Sequence, residues 1–167
     1  MRPWLIAAGL AAACTTPLRV ASGAAFSKGG VQPILELSGG LEGAVWTDHR
    51  RHEAFWLGST IAYALTRDSE RIFVGPEVQL SRLRNPHVGA RSLEVVCVRP
   101  ELGWARFTPP APQAAFVGGS AQWIHSIRGV PSTLGVRAGR FDSGPDQGLY
   151  TSIVFGVVAS SPLYWMQ

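Results

Sequence analysis

Cysteine is scarce in this chain: Cys14 and Cys97 are the two among 167 residues. If Cys14 is removed or lipidated, Cys97 is a lone thiol, so a disulfide framework is excluded. Cys97 then reads as a small apolar residue within a strand. Lysine is scarcer still, with Lys28 alone, and arginine carries nearly all of the formal net charge of +4. The arginines scatter over several segments without a basic stripe or interleaved stacking aromatics, which argues against a nucleic-acid partner. Charged residues make up only 16% of the chain. Nevertheless, no uninterrupted apolar run reaches the roughly 20 residues of a transmembrane helix. Helices of useful length are missing too; over 56–65, Gly58 and the Ser59-Thr60-Ile61 cluster favour a strand.

What the chain does have is alternation. Ile72, Val74, Pro76, Val78 and Leu80 interleave with Phe73, Gly75, Glu77, Gln79 and Ser81. Val117, Gly119, Ala121 and Trp123 interleave with Gly118, Ser120 and Gln122. Successive side chains of a strand point to opposite faces, so each run has one apolar and one polar face. Such runs exceed the usual strand of about five or six residues. They match the roughly 9–11 residues with which a tilted strand crosses a bilayer. The fold expected is all-β: a small antiparallel up-and-down transmembrane β-barrel, one domain over residues 26–167.

Residues 1–25 read as a secretory signal. Arg2 supplies the positive charge, Trp4 to Ala13 the apolar stretch, and Ala21-Ser22-Gly23-Ala24-Ala25 the small-residue cleavage zone. A competing reading takes Leu10-Ala11-Ala12-Ala13-Cys14, which resembles a bacterial lipoprotein box, with Cys14 lipidated.

Strands are expected near 33–46, 55–65, 71–82, 92–106, 114–128, 133–141 and 149–160. The breaks hold turn chemistry such as Asn85-Pro86-His87, Thr108-Pro109-Pro110 and Asp142-Ser143-Gly144-Pro145. Single-chain bacterial barrels use an even number of strands, which points to an eighth. It could come from 18–27 if processing occurs at Cys14, from splitting 33–46 at Gly39-Gly40, or from Leu163 to Gln167. Glycine inside the strands suits a narrow, crowded interior. Trp46, Trp56, Trp104, Trp123, Tyr150, Tyr164 and Trp165 fall near strand ends, where an aromatic girdle meets lipid headgroups.

The signal, the glycine-rich alternating strands and the aromatics near their ends resemble the small outer-membrane barrels of Gram-negative bacteria, the OmpA/OmpX-like class. The likeness covers nearly all of 31–160 and is architectural. It implies membrane lipids and the outer-membrane assembly machinery as partners, an outer-membrane location, and no cofactor. Members commonly close on a strand ending in an aromatic residue, whereas this chain ends Tyr164-Trp165-Met166-Gln167.

Parity assigns the inward faces. Leu35, Leu37, Leu41 and Val45 point out, leaving Glu36, Ser38, Gly40 and Glu42 inside. Glu77, Gln79 and Ser81 follow, and Thr133, Gly135, Arg137 and Gly139. Over 92–106 a bulge near Val98 would bring Arg99, Glu101, Gly103 and Ala105 inward. Charges in a narrow lumen are tolerable only when paired. Glu36, Glu42, Glu77, Arg99, Glu101 and Arg137 are therefore the expected interior network, either a polar plug or a carboxylate-lined ion path.

Two constellations invite other chemistry. His125-Ser126 invites comparison with barrel lipid hydrolases that use a Ser–His pair, but neighbours along a strand face opposite ways, so His125 cannot serve Ser126 as base. Asp48, His49, His52 and Glu53 have metal-ligand types, yet Arg50 and Arg51 between them repel a cation. No catalytic residue and no metal site are assigned. The function expected is a non-enzymatic structural or surface-interaction role in the cell envelope. The alternatives are a lipid-modifying hydrolase with His125 as base, and a soluble exported barrel holding an apolar ligand.

Overall fold

The computed structural model describes residues 18–48, 50–84, 92–108, 113–127 and 130–160. Eight antiparallel strands follow one another around a closed ring: β1 (Leu18–Ser27), β2 (Gly30–Asp48), β3 (Glu53–Thr66), β4 (Ser69–Arg84), β5 (Ser92–Phe107), β6 (Ala114–Ile127), β7 (Val130–Phe141) and β8 (Gly148–Ser160). Each strand pairs with its neighbour in the chain, and β1 closes the ring against β8. Closure pairs both sides of every strand and leaves no open edge for another chain.

The eighth strand is 18–27, the first of the three sources considered. The ring therefore includes Leu18–Ser27, ahead of the expected bound at residue 26, and takes in the segment read as a cleavage zone. The reason for the overlap is physical. Ala21 and Ala25 are buried, and a Cβ built on Gly23 would overlap the carbonyl oxygen of Ile153 on β8. A crowded wall and a signal-processing site ask for the same small residues. Residues 1–17 with Cys14, and 161–167 with Tyr164 and Trp165, lie outside the described residues.

A second correction concerns β5. No bulge is needed near Val98, because Val95, Cys97, Arg99 and Glu101 alternate inward without interruption and β5 keeps one register against β6. Alternation is blurred there because Val95 and Cys97, which point inward, are as apolar as Val96 and Val98, which point outward. Registration places Pro100 opposite Pro76 of β4, between the pairs Val74↔Leu102 and Val78↔Val98. A proline has no N–H for the ladder, and two facing prolines confine both losses to one gap. With Gly39 and Ser59 they leave a shallow groove of about 740 Å³ on the outer wall, flanked by Leu41, Ile61 and Leu102.

The lumen is layered along its axis. At the end carrying the strand termini Leu18 and Ser160 lies an apolar layer of Ala54, Trp56, Val95, Cys97, Ile124 and Val158. Charged side chains fill the middle. At the opposite end Phe73, Phe107, Phe116, Phe141 and Tyr150 form an aromatic layer, with Phe73 edge-on to Phe116 at a centroid distance of 5.0 Å and Phe116 and Phe141 edge-on to Tyr150. Trp56 and Tyr150, read as girdle residues, are therefore interior. Trp46, Trp104 and Trp123 do face outward, each nearly half exposed.

Candidate functional site

The six charged residues assigned to the interior all project into the middle layer and are buried there. Each reaches it by parity: Glu36 and Glu42 on β2, Glu77 on β4, Arg99 and Glu101 on β5, Arg137 on β7. One end of the network is built on Arg137, whose Nη1 donates to Glu36 at 2.5 Å and whose Nε donates to Glu101 at 2.6 Å. Its guanidinium also lies 3.9 Å from the Phe73 ring centroid, which joins the charged layer to the aromatic one. Arg99 lies between two carboxylates, 3.4 Å from Glu77 and 3.6 Å from Glu101. Ser120 fills the angle, accepting from Arg99 Nε at 3.0 Å and donating to Glu101 at 2.8 Å.

Sequence reading missed the hub. Arg19 of β1 donates to both oxygens of Glu77, at 2.7 and 3.0 Å, to Glu42 at 3.1 Å and to Gln122 at 3.0 Å. Thr60 completes the Glu77 shell with a 2.9 Å hydrogen bond. A signal for Arg19 was available. Glu36, Glu42, Glu77 and Glu101 outnumber Arg99 and Arg137, so a dry lumen calls for a further cation. Assigning residues 1–25 to a leader removed it from consideration.

A separate pair closes the opposite end. Asp146, on the connection between β7 and β8, accepts from Arg71 at 2.5 Å and from Ser27. Arg71 lies 4.7 Å from the Tyr150 ring centroid. The connection is thereby drawn over the mouth of the barrel, and Gly144 rests against the Phe107 ring.

The network joins walls that are far apart in sequence: β1 to β4 through Arg19 and Glu77, and β2 to β7 through Glu36 and Arg137. It lies between an apolar layer and an aromatic one. We expect the unmutated protein to show no steady ion conductance in a planar bilayer. A sustained single-channel current would mean a continuous water-filled path through this network.

Cys97 is buried, with its thiol 3.6 Å from Gln79 Oε1. Asp48 accepts from the backbone N–H of Arg50 and Arg51 at 2.9 and 3.2 Å, capping the β2–β3 turn, in which His52 has φ 53°. Glu53 pairs across the turn with Asp48 and has its carboxylate 3.5 Å from Arg82, and among the described residues no three metal-ligand side chains gather. His49 lies outside the described residues. His125 faces outward, stacked on Trp123 with centroids 5.4 Å apart, and parity turns Ser126 the other way.

No family model matches this chain, and neither does any curated protein or solved structure.

Proposed function

We propose that this chain is a transmembrane barrel of a bacterial outer membrane with a closed lumen, serving the envelope through its outer wall and its loops. One observation carries the reading: the barrel is inside out. Its buried charges are in the lumen, while Leu37, Leu41, Ile61, Leu102, Val117 and Phe155 are each 47–63% exposed on the outer wall. Between Glu70 and Arg82 on β4, and between Glu94 and Arg106 on β5, every outward residue is uncharged. These spans, 71–81 and 95–105, are about the 9–11 residues a tilted strand needs in hydrocarbon. Soluble monomers rarely expose contiguous apolar surface beyond a few hundred Å², and here outward apolar residues adjoin from strand to strand, Leu57 beside Val78 and Val78 beside Val98 among them.

The outward aromatics support the same reading. Trp46↔Phe55 pair across β2 and β3, and Trp123↔Leu134↔Phe155 across β6, β7 and β8, toward the terminal end. Tyr63, Trp104 and Phe26 stand outward toward the other end. Two aromatic levels bounding an apolar band are what headgroup interfaces favour. An export signal before the barrel would have to be processed ahead of Leu18, since cleavage at 21–25 would remove Arg19 from the lumen.

Cell fractionation tests the assignment. The protein should sediment with the outer membrane, require detergent for extraction, and migrate differently on a gel before and after boiling. Release into buffer on periplasmic extraction would reverse the reading in favour of a soluble exported barrel.

A further inference from the structure

The parity that separates His125 from Ser126 brings His125 to a different serine. His125 of β6 pairs directly with Glu94 of β5 on one side and with Ser132 of β7 on the other. Buried positions on these strands are Val95 and Cys97, Ile124 and Gln122, and Thr133 and Gly135, so Glu94, His125 and Ser132 all point outward. Directly opposed residues have Cβ atoms about 4.5–5.5 Å apart, within reach for a hydroxyl and an imidazole. The result is an acid, a base and a nucleophile in one cross-strand row.

The histidine is posed for this. Its Nδ1 is buried with no hydrogen-bond partner and lies 4.0 Å from Glu94 Oε1. Trp123 stacks on the ring at 20° and restrains its plane. Since 29% of the side chain is exposed while Nδ1 is not, the exposure falls on the rest of the ring. A carboxylate placed behind Nδ1 and drawn in to accept its proton would select the tautomer that leaves Nε2 free as a base, the arrangement that activates serine on unrelated folds. Relay geometry of this kind is often long before substrate binds.

We propose that Ser132, His125 and Glu94 form a hydrolytic relay on the outer wall that cleaves carboxylic esters of membrane lipids. The choice of substrate rests on the membrane reading above. The row lies one step toward the terminal end from the Trp123, Leu134 and Phe155 level, which is where headgroups and their ester linkages meet an aromatic belt. Toward the barrel waist the same strands offer Val98, Ala121 and Val136, then Pro100, Gly119 and Ala138 beside the outer groove, a smooth apolar track for an acyl chain. In the first step Ser132 Oγ bonds to the ester carbonyl carbon while its proton passes to His125 Nε2. The ester C–O bond then breaks, and that proton leaves with the alcohol. Water, deprotonated by His125, releases the fatty acid and restores the serine. Ester and water are consumed, and acid and alcohol are formed.

The full chain, folded in detergent, is tested with three probes: a fluorophosphonate, phosphatidylethanolamine in mixed micelles, and water-soluble p-nitrophenyl butyrate. Expected are fluorophosphonate labelling that maps to Ser132 and release of free fatty acid. Ser132→Ala and His125→Ala should each lower hydrolysis by about 1,000-fold or more, and Glu94→Gln by roughly 100-fold or more, with Glu94→Asp recovering part of it. Ser126→Ala should leave the rate unchanged. Each variant is first checked for heat-modifiable migration, so that misfolding is not read as lost chemistry. A folded, detergent-requiring wild type that takes no label and cleaves neither ester overturns the relay and leaves the membrane reading standing. Hydrolysis that persists in folded Ser132→Ala also overturns it. Protein that stays soluble without detergent and cleaves only the butyrate ester, with Ser132 labelled, keeps the relay and removes both the membrane reading and the lipid substrate.

Discussion

Arg19→Ala should be the most damaging single truncation of a charged residue in this protein, lowering the urea midpoint in detergent far more than Arg51→Ala. Arg19 is 2% exposed and holds Glu77, Glu42 and Gln122 together. Its removal leaves Glu77 and Glu42 buried without their shared cation, and breaking a buried ion pair in this way commonly costs about 3–5 kcal/mol. Arg51 sits on the β2–β3 turn with 75% of its side chain exposed and reaches Asp48 only at 3.7 Å. Exposed pairs are worth about 0–1 kcal/mol. Arg137→Ala should fall close to Arg19→Ala, since it leaves Glu36 buried without its cation and takes from Glu101 the nearer of its two. Equal midpoints for Arg19→Ala and Arg51→Ala would mean that the lumen is wet enough to solvate its carboxylates, and the plug would go with it.

Val78→Arg should prevent assembly into membranes or leave a barrel that loses its heat-modifiable form at lower denaturant. Val78 points outward halfway along β4, paired with Leu57 and Val98, which are also outward. An arginine on the lipid face near the bilayer midplane costs roughly 2–4 kcal/mol, falling to about 0–1 kcal/mol at the interfaces. Thr47→Arg, on an exposed position near the β2–β3 turn, should therefore be nearly silent. Gln79→Arg is not a gentle comparison, because Gln79 is 2% exposed beside Cys97 and a longer side chain has no room there. Full tolerance of arginine at Val74, Val78 and Ala121 alike would show that this wall does not face hydrocarbon.

These two outcomes separate the two faces of one wall, and the faces were legible to different degrees. The alternation of Ile72 to Ser81 announces which side chains go in and which go out, because side-chain direction in a strand is a local property of the backbone. For that reason Glu36, Glu42, Glu77 and Arg137 could be assigned to the lumen without knowing a single pairing, whereas Arg99 and Glu101 were sent there by a bulge that β5 does not have. Parity gives no account of what an inward residue meets. Phe73 alternates with the polar set yet lies in an aromatic layer with Phe116 and Tyr150, and Trp56, placed near a strand end by count, is inside against Ser81.

Composition misled where two requirements coincide. Ala21, Gly23 and Ala25 suit a processing site, and they also suit a crowded wall, so β1 and its Arg19 were hidden in plain view. The apolar run Val95-Val96-Cys97-Val98 misled in the opposite direction: it hid the alternation and suggested a bulge near Val98, whereas Val95 and Cys97 simply line an apolar interior layer.

By itself, then, the sequence determined an all-β chain, the direction of each side chain along its strand, and a lumen of carboxylates and guanidinia. Register was decided only by tertiary structure, since which residue lies across from which depends on turn lengths and ring closure, which no one strand carries. The placing of Arg19 between Glu42 and Glu77, of Asp146 on Arg71, and of Ser132 and Glu94 on either side of His125 all follow from register. Each of these joins residues on different strands, and closing the ring is what brings those strands together.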